Sequence, residues 1–164
     1  MLVVPDPIGS QVAAVRAAVG DELGAAIPTH ITLLPPTIID ARQHMTFDEH
    51  LRGVAHTRGP VLIGLAGSDT FRPVSDVVFL AVGRGAQDCA DLNAQVCSGP
   101  VSTPSPFAFH PHITLAHDLS EQILDRLAAT YHDVDESFTV GEMCLYELTP
   151  DAEWRVGERY PFTG

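Results

Sequence analysis

The sequence predicts an α+β or mixed α/β chain in which sheet predominates over a parallel doubly wound plan. Three observations lead there. Short β-branched runs alternate with stretches of helical spacing along the whole chain. Clusters of Gly, Pro, Ser and Asp punctuate those runs as turns do. The tetrapeptide His-Ile-Thr-Leu occurs twice, at His30–Leu33 and His112–Leu115, half a chain apart and each time in an apolar run beside proline. The duplication implies two related halves, although outside it they share little identity.

In chain order, Val3-Val4 predicts a short opening strand. Ser10 to Val19 carries Val12, Val15 and Val19 at helical spacing, after which Gly20 and Gly24 loosen the chain before the first tetrapeptide. Thr46-Phe47-Asp48-Glu49 predicts a capping box that opens a helix running to about His56. Pro60 to Ala66 and Asp76 to Val82 predict strands around a polar loop. Gln87 to Val96 predicts a helix with Cys89, Leu92, Asn93 and Val96 on one side, ended by Gly99-Pro100. The second tetrapeptide strand comes next. Asp118 is then the expected cap of a helix carrying Leu119, Ile123, Leu124 and Leu127. Two last strands are expected near Phe138–Leu148 and Trp154–Tyr160.

A chain of 164 residues with 45% hydrophobic content suits one domain, 1–164, with a sizeable core. No run approaches membrane-spanning length, and the first residues lack the basic and apolar regions of a signal peptide. The expectation is a cytoplasmic monomer with no membrane partner. Cys89, Cys97 and Cys144 show no metal-ligand spacing and are expected as reduced, mostly buried thiols. The net charge of −12 repels a long polyanion, which argues against a grip on long duplex nucleic acid. A small nucleotide or a short RNA terminus is compatible with it.

The chemistry lies in the duplicated segment. Side chains alternate along a strand, so His30 and Thr32 share one face while Ile31 and Leu33 anchor the other; His112 and Thr114 repeat this against Ile113 and Leu115. The hydroxyl stands about 7 Å along the strand from the imidazole. A phosphate between them would take a hydrogen bond from the threonine while the histidine reaches a bridging oxygen or a water. Two such strands facing each other across a groove would bring four side chains to one phosphodiester: one imidazole as base, the other as acid, and two hydroxyls to steady the phosphoryl charge. The scheme needs no metal or other cofactor. A single His-x-Thr is weak, since most lone histidines are structural; the duplication sets this pair apart.

With these motifs the chain resembles the 2H phosphoesterase superfamily, and more narrowly its bacterial 2′-5′ RNA ligase-like and cyclic phosphodiesterase branch. Pro28-Thr29-His30-Ile31-Thr32-Leu33-Leu34-Pro35-Pro36 is similar to the first motif, and Phe107 to Ala116, with its Pro111-His112 pair, to the second. Thr70-Phe71-Arg72-Pro73, Val77-Val78-Phe79-Leu80 and Trp154-Arg155-Val156 resemble other parts of such proteins. The resemblance implies a two-lobed, pseudo-symmetric α+β fold, with an antiparallel sheet in each lobe, helices outside and a central groove. It implies His30 and His112 as catalytic residues, Thr32 and Thr114 as phosphate-binding residues, and opening of a 2′,3′-cyclic phosphate, a related cyclic nucleotide or ADP-ribose cyclic phosphate, or a 2′-5′ linkage. Many relatives carry Arg where this chain has His117, which by alternation faces away from His112.

Other residues have narrower expectations. Phe71 and Arg72, in a loop, are candidates for a base or ribose and for phosphate, and His110 for lining the groove. Phe107 and Phe109 alternate with the core-facing set and are expected to pack inside. His44, His50, His56 and His132 are expected at the surface. Two other function classes stay open: a non-catalytic module that binds nucleotides or RNA ends, and a metalloenzyme built on His110 and His112, for which the ligand set is poor.

Overall fold

A computed structural model describes residues 1–164 apart from Glu22, Pro104 and Ala152. In chain order the elements are β1 (Leu2–Val3), α1 (Ile8–Ala18), α2 (Leu23–Ala26), β2 (His30–Ile31), α3 (Ala41–His56), β3 (Val61–Thr70), β4 (Val77–Val82), α4 (Ala86–Cys97), β5 (His112–His117), α5 (Glu121–Thr130), β6 (Ser137–Val140), β7 (Glu142–Leu148) and β8 (Trp154–Pro161).

The fold is α+β and its strand pairings are antiparallel. Six strands run in the order β1-β2-β5-β4-β3-β6, and β7 and β8 form a hairpin. Reciprocal backbone hydrogen bonds of 2.9 Å between Met1 and Cys144 lay that hairpin against β1. The ribbon therefore reads β8-β7-β1-β2 on one side and β5-β4-β3-β6 on the other. Each lobe ends in a motif strand, and the lobes join where β2 pairs with β5, Ile31 opposite Ile113. The expected two halves thus share a ladder, and the motif strands lie side by side in it rather than facing each other across a groove.

Burial explains why the ladder holds. Ile31, Ile113 and Leu115 are fully buried and Leu33 nearly so; each contributes about 1.5–3 kcal/mol by leaving water. α3 packs on β8, and α5 on β3 and β4. α1, which precedes the first motif, packs on β5. The Asn93 amide of α4, which precedes the second, donates to the Leu33 carbonyl (2.7 Å). Each of these helices therefore braces the motif of the opposite lobe.

Several boundaries differ from the sequence expectation. α3 starts at Ala41, because Asp40 is extended and its carboxylate accepts from the N–H groups of Arg42 and Gln43, while Gln43 accepts from the Asp40 N–H. This earlier capping box outcompetes the one at Thr46, whose hydroxyl instead bonds back to the Arg42 and Gln43 carbonyls inside the helix. Asp118 does not cap α5. It sits at φ 54° with its N–H on the Asp76 carbonyl, and Ser120 takes the cap position. The strand expected over Phe138–Leu148 breaks at Gly141, so that β6 pairs with β3 and β7 with β8. Cys89 and Cys144 are buried thiols and Cys97 is half-buried. Among the described residues no helix is long and apolar enough to cross a membrane.

Candidate active site

The two motif segments have the same local build. Residues 28–33 and 110–115 share one alternation of burial: exposed, buried, half-buried, buried, half-buried, buried. His30 and Thr32, like His112 and Thr114, therefore turn away from the core together. β2 is only two residues long, so Thr32 lies just past the ladder. Continuing the antiparallel register around Ile31–Ile113 sets His30 beside Thr114 and Thr32 beside His112. Residues opposed in this way have Cβ atoms about 4.5–5.5 Å apart. Extended one residue each way, the register makes a crossed square of backbone positions in which each histidine lies across from the other motif's threonine.

Both rings are held alike. His30 Nδ1 donates to the Pro28 carbonyl and His112 Nδ1 to the His110 carbonyl, each at 2.7 Å. A carbonyl only accepts, so Nδ1 carries the hydrogen and the neutral ring presents the Nε2 lone pair. Both pKa values lie below the ordinary histidine value. For His30, loss of hydration dominates; the bond to Pro28 opposes it, and the amino terminus, Arg16 and His112 add to it. For His112, loss of hydration again leads, opposed by the bond to the His110 carbonyl and aided by the neighbouring His110 ring. Each free ring is accordingly a neutral base near pH 7, and the arrival of an anionic phosphate favours a proton on one of them.

Among the described residues, aromatic rings crowd the His112 side only. Phe71 meets the His112 ring edge-on (4.9 Å between centroids, 89°), and the buried Phe79 lies 5.2 Å from it. His110 is exposed, 6.4 Å from His112, and contacts Phe71 and Phe79 through its ring. The expected neighbours Phe71 and His110 thus gather around His112. Arg72 turns elsewhere, to Asp125 of α5 (2.7 Å) and the Thr70 hydroxyl (3.2 Å).

His117 corrects the alternation argument. Phe79 pairs with Thr114 but Val78 pairs with Ala116, so Leu115 is an extra residue, a β-bulge. Leu115 and Ala116 are consecutively buried, and His117, opposite Val77, returns to the face of His112 and Thr114. Its Nε2 lies 3.5 Å from the Asp118 carboxylate.

Other expectations sort by contact. Phe109 packs on the core, whereas Phe107 is 64% exposed because it lies in the loop before β5, where no alternation applies. His50 is half-buried between α3 and α4, bonded to the Gln95 carbonyl, and is not a surface residue. His44, His56 and His132 bond to Glu147, Thr163 and the Ala129 carbonyl at the periphery. Sequence reasoning missed Phe79 and the two clamping carbonyls. The one available signal was that Pro28 and His110 each stand two residues before a motif histidine.

A recess between α3 and the β7–β8 hairpin is lined by His44, Asp48, Glu49, Leu145, Glu147 and Glu158. Its carboxylates disfavour an anionic ligand there. Among the described residues no three His, Cys, Asp or Glu side chains converge as a metal donor set.

Comparison with known proteins gives the family and the fold. Residues 4–152 match the family model of the 2'-5' RNA ligase superfamily. A Geobacillus kaustophilus protein named "Putative phosphoesterase" is 34% identical over 139 residues, covering 83% of this chain and 79% of the relative. A Bacillus cytotoxicus protein of the same description is 29% identical over 143 residues, covering 83% and 80%. In fold, the chain is similar to E. coli LigT complexed with ATP (TM-score 0.68, 20% identity, 99% and 95% covered) and to TT0787 of Thermus thermophilus (0.66, 17%, 99% and 96%).

Proposed function

The chain belongs to the 2'-5' RNA ligase superfamily and is a phosphoesterase by kinship; from that premise we propose that it opens a 2′,3′-cyclic phosphate, or a related cyclic nucleotide or 2′-5′ linkage, by two-histidine acid–base catalysis. The observation that carries the reading is the crossed square: two neutral imidazoles with Nδ1 clamped at 2.7 Å, each beside the other motif's threonine. In hydrolysis, one imidazole takes a proton from water through Nε2 as the water oxygen bonds to phosphorus. The phosphorus–ribose oxygen bond breaks, and the other ring, protonated at Nε2, gives its proton to the departing oxygen. The product is a phosphate monoester with a free hydroxyl. Thr32 and Thr114 donate to non-bridging oxygens, where charge accumulates in the transition state. The roles of the histidines exchange in the reverse direction.

The substrate we propose is a small nucleotide or a short RNA terminus, in keeping with the charge of −12. His117 on the groove face offers one more donor further along β5 for such a terminus. The test is hydrolysis of a panel of 2′,3′-cyclic nucleotides in EDTA by the parent and by His30→Ala, His112→Ala and the double variant. Each single variant is expected to lose about 10²–10⁴-fold in kcat while remaining folded, with the double variant losing far less than the product of the two. Full activity in either single variant overturns the reading. Saturable binding without turnover by the parent points instead to a binding module.

A further inference from the structure

The phosphodiesterase reading, on which this inference rests, leaves a symmetry to be broken. The two half-sites present the same chemistry: equal burial alternation, equal Nδ1 clamps and crossed His–Thr neighbours. A cyclic nucleotide is not symmetric, having a nucleoside on one side of the phosphorus and solvent on the other. Its orientation must be read by residues that differ between the halves. Pro28 of the first half corresponds to His110 of the second. His30 stands opposite the aliphatic Val3, and among the described residues its ring meets no other aromatic ring. His112 is surrounded by Phe71, Phe79 and His110.

His110 is the exposed member of that group. Its ring is braced edge-on by Phe71 (5.7 Å, 85°) and by Phe79 (5.2 Å, 66°). Among the described residues no hydrogen bond engages its ring nitrogens; only its backbone carbonyl is used, by His112. A flat ring held on two sides and open to the groove, within one ring's reach of a candidate catalytic histidine, is a stacking surface. Stacking needs no base-specific donors and works with any nucleobase face.

We propose that His110, braced by Phe71 and Phe79, is the platform for the nucleobase of the cyclic nucleotide, and so sets the nucleoside over the β5 half of the groove. It is a specificity-determining residue for binding, with no part in the proton transfers.

The experiment compares the parent with His110→Ala, His110→Phe and His110→Gln on two substrates: 2′,3′-cyclic AMP, and glycerol 1,2-cyclic phosphate, which keeps the five-membered phosphate ring but has no base. In His110→Ala, KM for cyclic AMP should rise roughly 5- to 140-fold, the loss typical of one stacked base. kcat for cyclic AMP should fall far less than KM rises, and the change in KM for the glycerol compound should be several-fold smaller than that for cyclic AMP, because there His110 acts only through its effect on His112. Phenylalanine should restore most of the loss, and glutamine should not. An equal loss on both substrates overturns the proposal by placing His110 at the phosphate. So does no loss on either, or rescue by glutamine alone, which marks a hydrogen bond.

Calorimetric titration with adenosine 2′- and 3′-monophosphate, against inorganic phosphate, separates this proposal from the reading beneath it. Binding that depends on His110 without any turnover sinks the phosphodiesterase reading and keeps the platform. Turnover with no dependence on His110 does the reverse. Neither binding nor turnover overturns both.

Discussion

The pH dependence of turnover is the sharpest consequence of the clamped pair. The productive enzyme needs one neutral and one protonated imidazole, so kcat/KM should follow a bell bounded by the two pKa values of the pair in the free enzyme. Loss of hydration holds both below the ordinary histidine value of about 6.5. The alkaline limb must then begin below pH 6.5. At pH 8, some 1.5 units beyond it, kcat/KM should be roughly 10-fold or more under its maximum. The assay is initial-rate hydrolysis of 2′,3′-cyclic AMP at substrate well below KM, from pH 4.5 to 9, in EDTA and at constant ionic strength. The same shifts act on stability. A histidine with a depressed folded-state pKa takes its proton first in the unfolded chain, so its contribution is complete above about pH 6.5 and is lost as pH falls through the folded value. Circular dichroism at each pH therefore has to accompany the acid limb, to separate protonation of the base from unfolding. The kcat profile should lie at higher pH than that of kcat/KM, because bound phosphate favours the imidazolium. A kcat/KM plateau extending through pH 8 would refute the reasoning, and so would an alkaline limb above pH 7 in a folded enzyme.

Two further predictions concern the frame. Gly67 has φ +74°, and a Cβ there would run into the His132 carbonyl oxygen, so Gly67→Ala should cost at least roughly 1–3 kcal/mol in urea unfolding; an unchanged midpoint would mean that this approach relaxes freely. Asp40→Ala should cost about 0.5–2 kcal/mol by removing the α3 cap, while Thr46→Ala should stay within about 0.5 kcal/mol. The opposite ranking would return the helix start to Thr46.

The site's composition was legible in the sequence because it depends on type and period alone. A polar residue at every second position against isoleucine and leucine is enough to place His30 with Thr32 and His112 with Thr114 on one face. The secondary elements were legible in kind for the same reason, as periodic burial survives folding. What failed were competitions between neighbours. Asp40-Ala41-Arg42-Gln43 and Thr46-Phe47-Asp48-Glu49 both spell a capping box, and the winner is set by where the preceding chain turns extended. The break at Gly141 is set by which partner each strand finds, β3 or β8, a contact distant in sequence. His117 was misplaced because alternation counts residues, whereas a bulge adds one to a strand without adding one to its partner. Nothing local to Leu115 announces that. It is a property of the β4–β5 register.

The register also explains why the motif has the spacing it has. Within one motif, imidazole and hydroxyl are about 7 Å apart along the strand, too far to share one phosphoryl oxygen. Antiparallel pairing centred on the middle residues, Ile31 with Ile113, swaps the ends of the two motifs. The histidine of each then lies beside the threonine of the other, at about 5 Å. A single buried residue between two half-buried ones, on each strand, gives this crossing with all four polar groups on one face. A histidine adjacent to its threonine, or separated from it by two residues, would send one member into the core. The same isoleucines that bury the strands fix the pairing, so the core and the candidate site are two faces of one ladder. Duplication is then a requirement of the geometry, since neither half holds an imidazole and a hydroxyl side by side without the other.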